Sequence, residues 1–189
     1  MQSDITHEVG YQVSIKANFD FFNLRGDISE NHRVLDVIRD AVRGGKQNVL
    51  KLLEDKGIIE RHHAAHNLVV TVGRNVLARL LTGDTTYSGQ INYGALGSSS
   101  TAVSNADTQL GTEVYRKLFA SHTTDGNNVA YIDFFYAATD TNGTYQEFGN
   151  FIDGTASANT GRLFSHILTG GWVKTNLQSM FISCQYTIS

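Results

Sequence analysis

Apolar and polar positions alternate along Val9-Gly10-Tyr11-Gln12-Val13-Ser14-Ile15. A period of two puts Tyr11, Val13 and Ile15 on one face, as a half-buried strand requires. Phe19, Phe21 and Phe22 follow, and Gly26-Asp27 marks a turn. The period then changes. After Ser29-Glu30-Asn31-His32, the apolar residues Val34, Val37, Ile38 and Ala41 recur at helical spacing and stop at Gly44-Gly45. Val49, Leu50, Leu52 and Leu53 repeat that spacing up to Lys56-Gly57, so Lys46 to Lys56 is predicted to be a short helix ended by glycine.

Beyond residue 66 the pattern is that of sheet. Asn128 to Ala138 is rich in aromatic and β-branched residues, which fit a pleated surface. Asn142-Gly143 is a hairpin signal, with Thr144 to Phe148 as the return strand. Arg162 to Leu168 reads as another strand turned by Gly170-Gly171, and Trp172 to Lys174 and Leu177 to Ile188 close the chain. Several short strands at this spacing predict a mainly β fold. We expect an antiparallel β-sandwich or barrel of jelly-roll type, preceded by a strand and two short helices.

Composition divides the chain. Of the first 66 residues 19 are Asp, Glu, Lys or Arg, against 14 of the remaining 123. The later part thus falls well below the usual charged fraction of about 25%. This places a boundary near His66-Asn67. Residues 1–66 are expected to make docking or oligomer contacts, and residues 67–189 to hold an autonomous sandwich. The net charge of -3 argues against a direct nucleic-acid partner, which would call for a basic stripe. No apolar run is long enough to cross a bilayer, and Met1 to Glu8 lack the features of a secretory signal. Cys184 is the only cysteine, in an apolar-alternating run, and reads as a buried thiol.

Several constellations could carry chemistry. His62 and His66 would share a face on a helix, close enough for one metal, and a metal-assisted hydrolase is one reading of His62-His63-Ala64-Ala65-His66. No Glu follows the first His and no third ligand is evident, so a polar junction is the other. Glu113 and Arg116, three apart, can pair on one helical turn, with Glu147 or Lys174 extending the pair. We expect this ion pair to be structural, a catalytic carboxylate pair being the alternative. Asp125-Gly126-Asn127-Asn128, Asp140-Thr141-Asn142-Gly143 and Asp153-Gly154 offer oxygens but lack the twelve-residue calcium loop, and read as turns. Gly94-Ala95-Leu96-Gly97 and Gly44-Gly45-Lys46 lack the context of a phosphate loop and also read as turns. Tyr87, Tyr93, Tyr136, Tyr145 and Trp172 could stack on sugar rings, although strand aromatics more often fill cores or interfaces.

One stretch has a recognisable order. Asn67-Leu68-Val69-Val70-Thr71-Val72-Gly73 is an Asn-led apolar strand ending in glycine. A short helix (Val76 to Leu81), the Gly94-x-x-Gly97 strand, a Ser/Thr loop from Ser98 to Ala106 and a Leu110-x-x-Glu113-x-x-Arg116 turn follow. This order resembles a segment of tailed-bacteriophage virion proteins of the capsid-decoration or tail-accessory type. The resemblance covers roughly the last two thirds of the chain. It implies a non-enzymatic structural role without cofactor or metal. It also implies a homo-oligomer in contact with major capsid or tail proteins, located in the virion after assembly in the host cytoplasm. A receptor- or glycan-binding sandwich of a tail is the alternative.

Overall fold

The structure, a computed structural model, describes residues 14–189. Val9 to Val13 of the expected first strand therefore lie outside the described residues. Ile15 opens β1 (Ile15–Arg25). The two expected helices follow as α1 (Arg33–Arg43) and α2 (Gln47–Asp55). The Nδ1 of His32 caps α1 by accepting from the Val34 N–H at 3.1 Å, which satisfies one of the free donors of the first turn. Gly44-Gly45 ends α1, with Gly45 at φ 61°, so this glycine pair is a turn as expected.

The remaining elements are β2 (Ile59–His66), β3 (Leu68–Val69), α3 (Thr71–Leu81), β4 (Ile91–Gly97), β5 (Glu113–Leu118), β6 (Ser121–Thr124), β7 (Val129–Tyr136), β8 (Gly143–Ile152), β9 (Arg162–Lys174) and β10 (Gln178–Ile188). They form two antiparallel five-stranded sheets. One runs β2-β1-β10-β7-β6 and the other β3-β9-β8-β4-β5. The fold is thus mainly β, and the two separate sheets pack as a sandwich.

Alternation fills the space between the sheets. Phe19 and Phe21 of β1, Phe134 of β7, Phe148 of β8 and Trp172 of β9 are all fully buried there. Phe148 meets Phe19, Phe21 and Phe134 edge-on, at ring separations of 5.8, 5.7 and 5.7 Å, a geometry that aligns ring edges with π faces. Cys184 lies in this core, and burial pushes its thiol well above the usual range. The outer face of the first sheet carries Phe22, Leu24, Phe135 and Phe181, covered by Leu35, Ile38 and Ala41 of α1 and Leu50 and Leu53 of α2. Asp133, fully buried on β7, fixes α1 there. It accepts from Arg39 Nε and Arg43 Nη2 at 3.0 Å each, and from Ser121 and Ser183 hydroxyls at 2.8 Å.

Four local expectations change. Asn142-Gly143 does not turn a hairpin, because β7 and β8 belong to different sheets and residues 137–142 cross between them. Asp140 shapes that crossing by accepting the Ala137 N–H at 2.8 Å. Gly170-Gly171 does not end a strand. β9 continues through it, with φ at 67° and 80°, and bulges so that Leu168 pairs Glu147 while Trp172 pairs Tyr145. The Asn67 strand is only two residues long. Gly73 instead sits in α3, where an added Cβ would lie 2.6 Å from the Phe164 carbonyl oxygen; glycine lets the helix touch β9. Gly94-Ala95-Leu96-Gly97 is no turn but the end of β4.

The compositional boundary at residue 66 is not a structural one. β1 lies between β2 and β10, with eleven paired positions from Ile15↔Ile188 to Arg25↔Gln178. The first and last strands of the described chain are hydrogen-bonded neighbours in the middle of one sheet. Residues 67–189 by themselves lack two of that sheet's five strands.

Candidate functional site

Glu113 and Arg116 are on a strand, not on the helical turn the spacing suggested. Three residues along a regular strand would place them on opposite faces. A β-bulge changes this. Leu96 pairs Tyr115 while Gly97 pairs Glu113, so Val114 is the extra residue. Glu113 and Arg116 therefore line up with Gly97 and Ala95 on one face. The pair is bidentate, Nε to Oε1 at 2.6 Å and Nη2 to Oε2 at 2.7 Å, with side chains 0% and 2% exposed.

Neighbouring strands extend this face. The row Arg116–Ala95–Gly149–His166 crosses β5, β4, β8 and β9, and the row Glu113–Gly97–Glu147 runs beside it. Small residues stand where other groups must approach. A Cβ on Gly97 would collide with the Glu147 carboxylate, and one on Gly149 would lie 2.8 Å from Leu110 Cδ2. This is the outer face of the second sheet, and the Ser98–Thr112 loop covers it. Leu110 of that loop packs with Phe151, Leu163, Ala95 and Val70.

Glu147, 1% exposed, is the anchor of the loop. Its Oε1 accepts the N–H groups of Ser99 at 3.1 Å and Thr112 at 2.8 Å; its Oε2 accepts Gly111 N–H at 2.9 Å. One carboxylate thus holds both ends of the loop. His166 Nε2 lies 2.9 Å from the same Oε2, and His166 Nδ1 lies 2.8 Å from Asp107 Oδ2. Asp107 in turn accepts Ser104 N–H at 2.8 Å. Each imidazole nitrogen faces a carboxylate oxygen. An imidazolium donating twice satisfies that geometry, as does a neutral ring facing one protonated carboxyl.

Glu113 and Arg116 grip a second loop, between β8 and β9. Glu113 Oε2 accepts Asn159 N–H at 3.1 Å. Arg116 Nη1 donates to Thr155 O, Thr160 O and Thr160 Oγ1 at 3.1, 3.0 and 2.9 Å. Its guanidinium carbon lies 4.7 Å from the Phe151 ring centroid, so the charge meets a π face as well as oxygen acceptors. Glu147 is therefore next to the pair, in the same row as Glu113. Lys174 is not. It is buried at the far end of β9, 3.0 Å from Asn142 Oδ1. Burial pulls its ammonium below the usual range, against the raising influence of Asp140 and Asp27.

The sequence pointed to Glu113, Arg116 and Glu147 but missed His166 and Asp107. His166 sits inside an apolar run and Asp107 in a small-residue loop, 59 positions away. Only the sheet register brings them together.

The other candidates resolve into local structure. His62 and His66 are on β2, four residues apart along a strand, which separates them by roughly 13 Å and rules out a shared metal. His62 stacks on Phe22 at 4.3 Å and contacts Asp20 at 2.8 Å, while His66 contacts Asn18 at 2.6 Å. Among the described residues no group of three or more His, Cys, Asp or Glu could hold a metal ion. Asp125 Oδ1 accepts the N–H groups of Asn127, Asn128 and Val129, which lowers its pKa and makes the segment a turn. Asp153, at φ 53°, accepts Ser88 N–H at 2.8 Å. Tyr136, Tyr145 and Trp172 are core residues and cannot stack on a sugar. Tyr93 lies beneath Arg116, and Tyr87 accepts from Arg162 Nε at 2.8 Å.

Fold and site together define a β-sandwich whose buried ionisable groups hold its loops. Comparison with protein-family models, curated proteins and solved structures found no match to this chain. The resemblance to phage virion proteins thus rests on the order of residues in the sequence.

Proposed function

We propose that this protein is a non-enzymatic structural component of a bacteriophage virion, an accessory subunit of the capsid or tail that works as a homo-oligomer. One observation carries the reading. The charged groups of the outer sheet face, Glu113, Arg116 and Glu147, are directed at backbone N–H and C=O groups of two covering loops. Groups held this way give rigid loops and a fixed outline, which suits a protein whose surface geometry is its function. The edge strand β5 also leaves Val114 and Leu118 56% and 50% exposed. An open edge of this kind invites cover from another subunit. Among the described residues no helix is long and apolar enough to cross a membrane.

The test is mass spectrometry of purified virions, paired with a low-resolution map of the particle. Peptides of this chain at a fixed ratio to the major capsid or tail protein, with density for the sandwich, are the expected result. Absence of the chain from intact particles would refute the virion role.

A further inference from the structure

His166 of β9 lies between two carboxylates of unequal burial. The Glu147 side chain, on the neighbouring strand β8, is 1% exposed. The Asp107 side chain, in the covering loop, is 25% exposed. The imidazole, itself 4% exposed, thus joins the sheet to the middle of the loop, 2.9 Å from one oxygen and 2.8 Å from the other. Asp107 passes the link along the loop. The Oδ2 that faces the ring also accepts Ser104 N–H at 2.8 Å, and Asp107 N–H donates to Ser104 O at 3.1 Å. The other elements around the ring differ in what they offer. β3 pairs His166 with the apolar Leu68, and β8 places Gly149 opposite it. Arg116 of β5 is engaged with Glu113. Arg74 of α3 reaches the same loop, donating to Asn105 Oδ1 at 3.2 Å on the exposed surface.

We propose that His166 is a proton-operated latch, which fastens residues 104–107 of the loop to the sheet when the ring is charged and releases them when it is neutral. This goes beyond the proposed function and does not depend on it. An imidazolium has two N–H donors and serves both carboxylates at once. When one proton leaves to solvent a single N–H remains, and one ring lone pair then faces a carboxylate. Burial decides which side loses its donor. Glu147 sits in a dry site, where an acceptor left without its donor is costly. The remaining proton therefore stays on Nε2, against Glu147. Asp107 is partly in water and exchanges the lost donor for solvent. It turns away from the bare Nδ1, and Ser104 N–H loses its fixed acceptor with it. The ends of the loop stay in place, because Glu147 itself holds the Ser99, Gly111 and Thr112 amides. Rising pH thus loosens the centre of the loop and spares its ends. Imidazole is the side chain suited to such a change near neutral pH. The outer face of the second sheet then has two outlines, one closed and one loosened, selected by a single proton.

The test uses the full chain and nuclear magnetic resonance across a pH series. Ring nitrogen shifts report the charge and tautomer of His166. Amide exchange, divided at each pH by the rate of an unstructured peptide, reports the loop. Protection at Ser104 and Asp107 is expected to fall about tenfold or more as His166 loses its proton, the scale of one charge-assisted hydrogen bond. Protection at Gly111 and Thr112 should hold over the same range, and the neutral ring should carry its proton on Nε2. Two variants remove the step by different means. His166→Gln cannot titrate. Asp107→Asn, at a partly exposed loop position, offers an amide donor to the neutral Nδ1, so protection at Ser104 should no longer fall as pH rises. A folding defect in the buried variant leaves the loop variant as the test. A ring that keeps one charge state throughout would overturn the latch. So would loop protection that ignores the titration of His166, a loop that loosens at its ends together with its centre, or a step that survives in Asp107→Asn.

Discussion

Glu113 and Arg116 share one face of an edge strand because Val114, between them, bulges out of register with β4. The bulge converts a spacing that should separate the side chains into a bidentate pair buried under the 153–161 loop. Removing one partner strands the other charge in a dry site, which typically costs about 3–5 kcal/mol. Arg116→Ala is therefore expected to lower the melting temperature sharply. The double variant Glu113→Gln, Arg116→Met leaves no lone charge and should lose less than the two single losses summed. Additive losses in thermal melts would show that the two residues are not coupled.

Glu147 tethers the Ser98–Thr112 loop through three amides. Glu147→Ala should speed hydrogen exchange at Ser99, Gly111 and Thr112 far more than in β7 or β10. The loss of stability should reach several kcal/mol, since buried amides are left unpaired at about 1–3 kcal/mol each. Unchanged protection of the loop would mean that Leu110 and the apolar patch beneath it hold the loop without the carboxylate.

Lys174 makes a pH prediction with a definite sign. Its folded pKa is below 10.5, chiefly through burial. Between the folded and unfolded values the unfolded chain binds more protons, so this residue's contribution to stability rises with pH there. Below that window the buried ammonium costs stability. Lys174→Met should be tolerated at neutral pH and should remove that rise toward pH 10.5. Denaturant titrations of both proteins at several pH values check this; identical slopes against pH would contradict it.

Residues 67–189 should not fold alone, despite their distinct composition. A chain starting at Ala65 lacks β1, which pairs with β10 along its whole length, and lacks Phe19 and Phe21 from the core. Insoluble or uncooperatively melting protein is the expected outcome. A cooperative melt with intact near-ultraviolet signal from Trp172 would show that the later strands close on themselves.

Local patterns were legible where one periodicity ruled. Val34, Ile38 and Ala41, then Leu50 and Leu53, mark two helices, and the aromatic run of β7 and the alternation of β10 mark strands. Signals that depend on what lies across the sheet were not. Asn142-Gly143 has hairpin chemistry, yet the chain crosses to the other sheet there. Gly170-Gly171 looks like a turn but is a bulge. The charge-poor segment after residue 66 reflects burial of its strands and not independence from β1. For the site, charge spacing singled out Glu113 and Arg116, but the link from Glu147 through His166 to Asp107 comes from register and a covering loop.

Self-association underlies the proposed function, and sedimentation velocity of the unaltered full chain tests it most directly. The expected result is a weight-average mass that climbs above 20.8 kDa as concentration rises through the micromolar range. A mass fixed at 20.8 kDa at every concentration and salt level would contradict it.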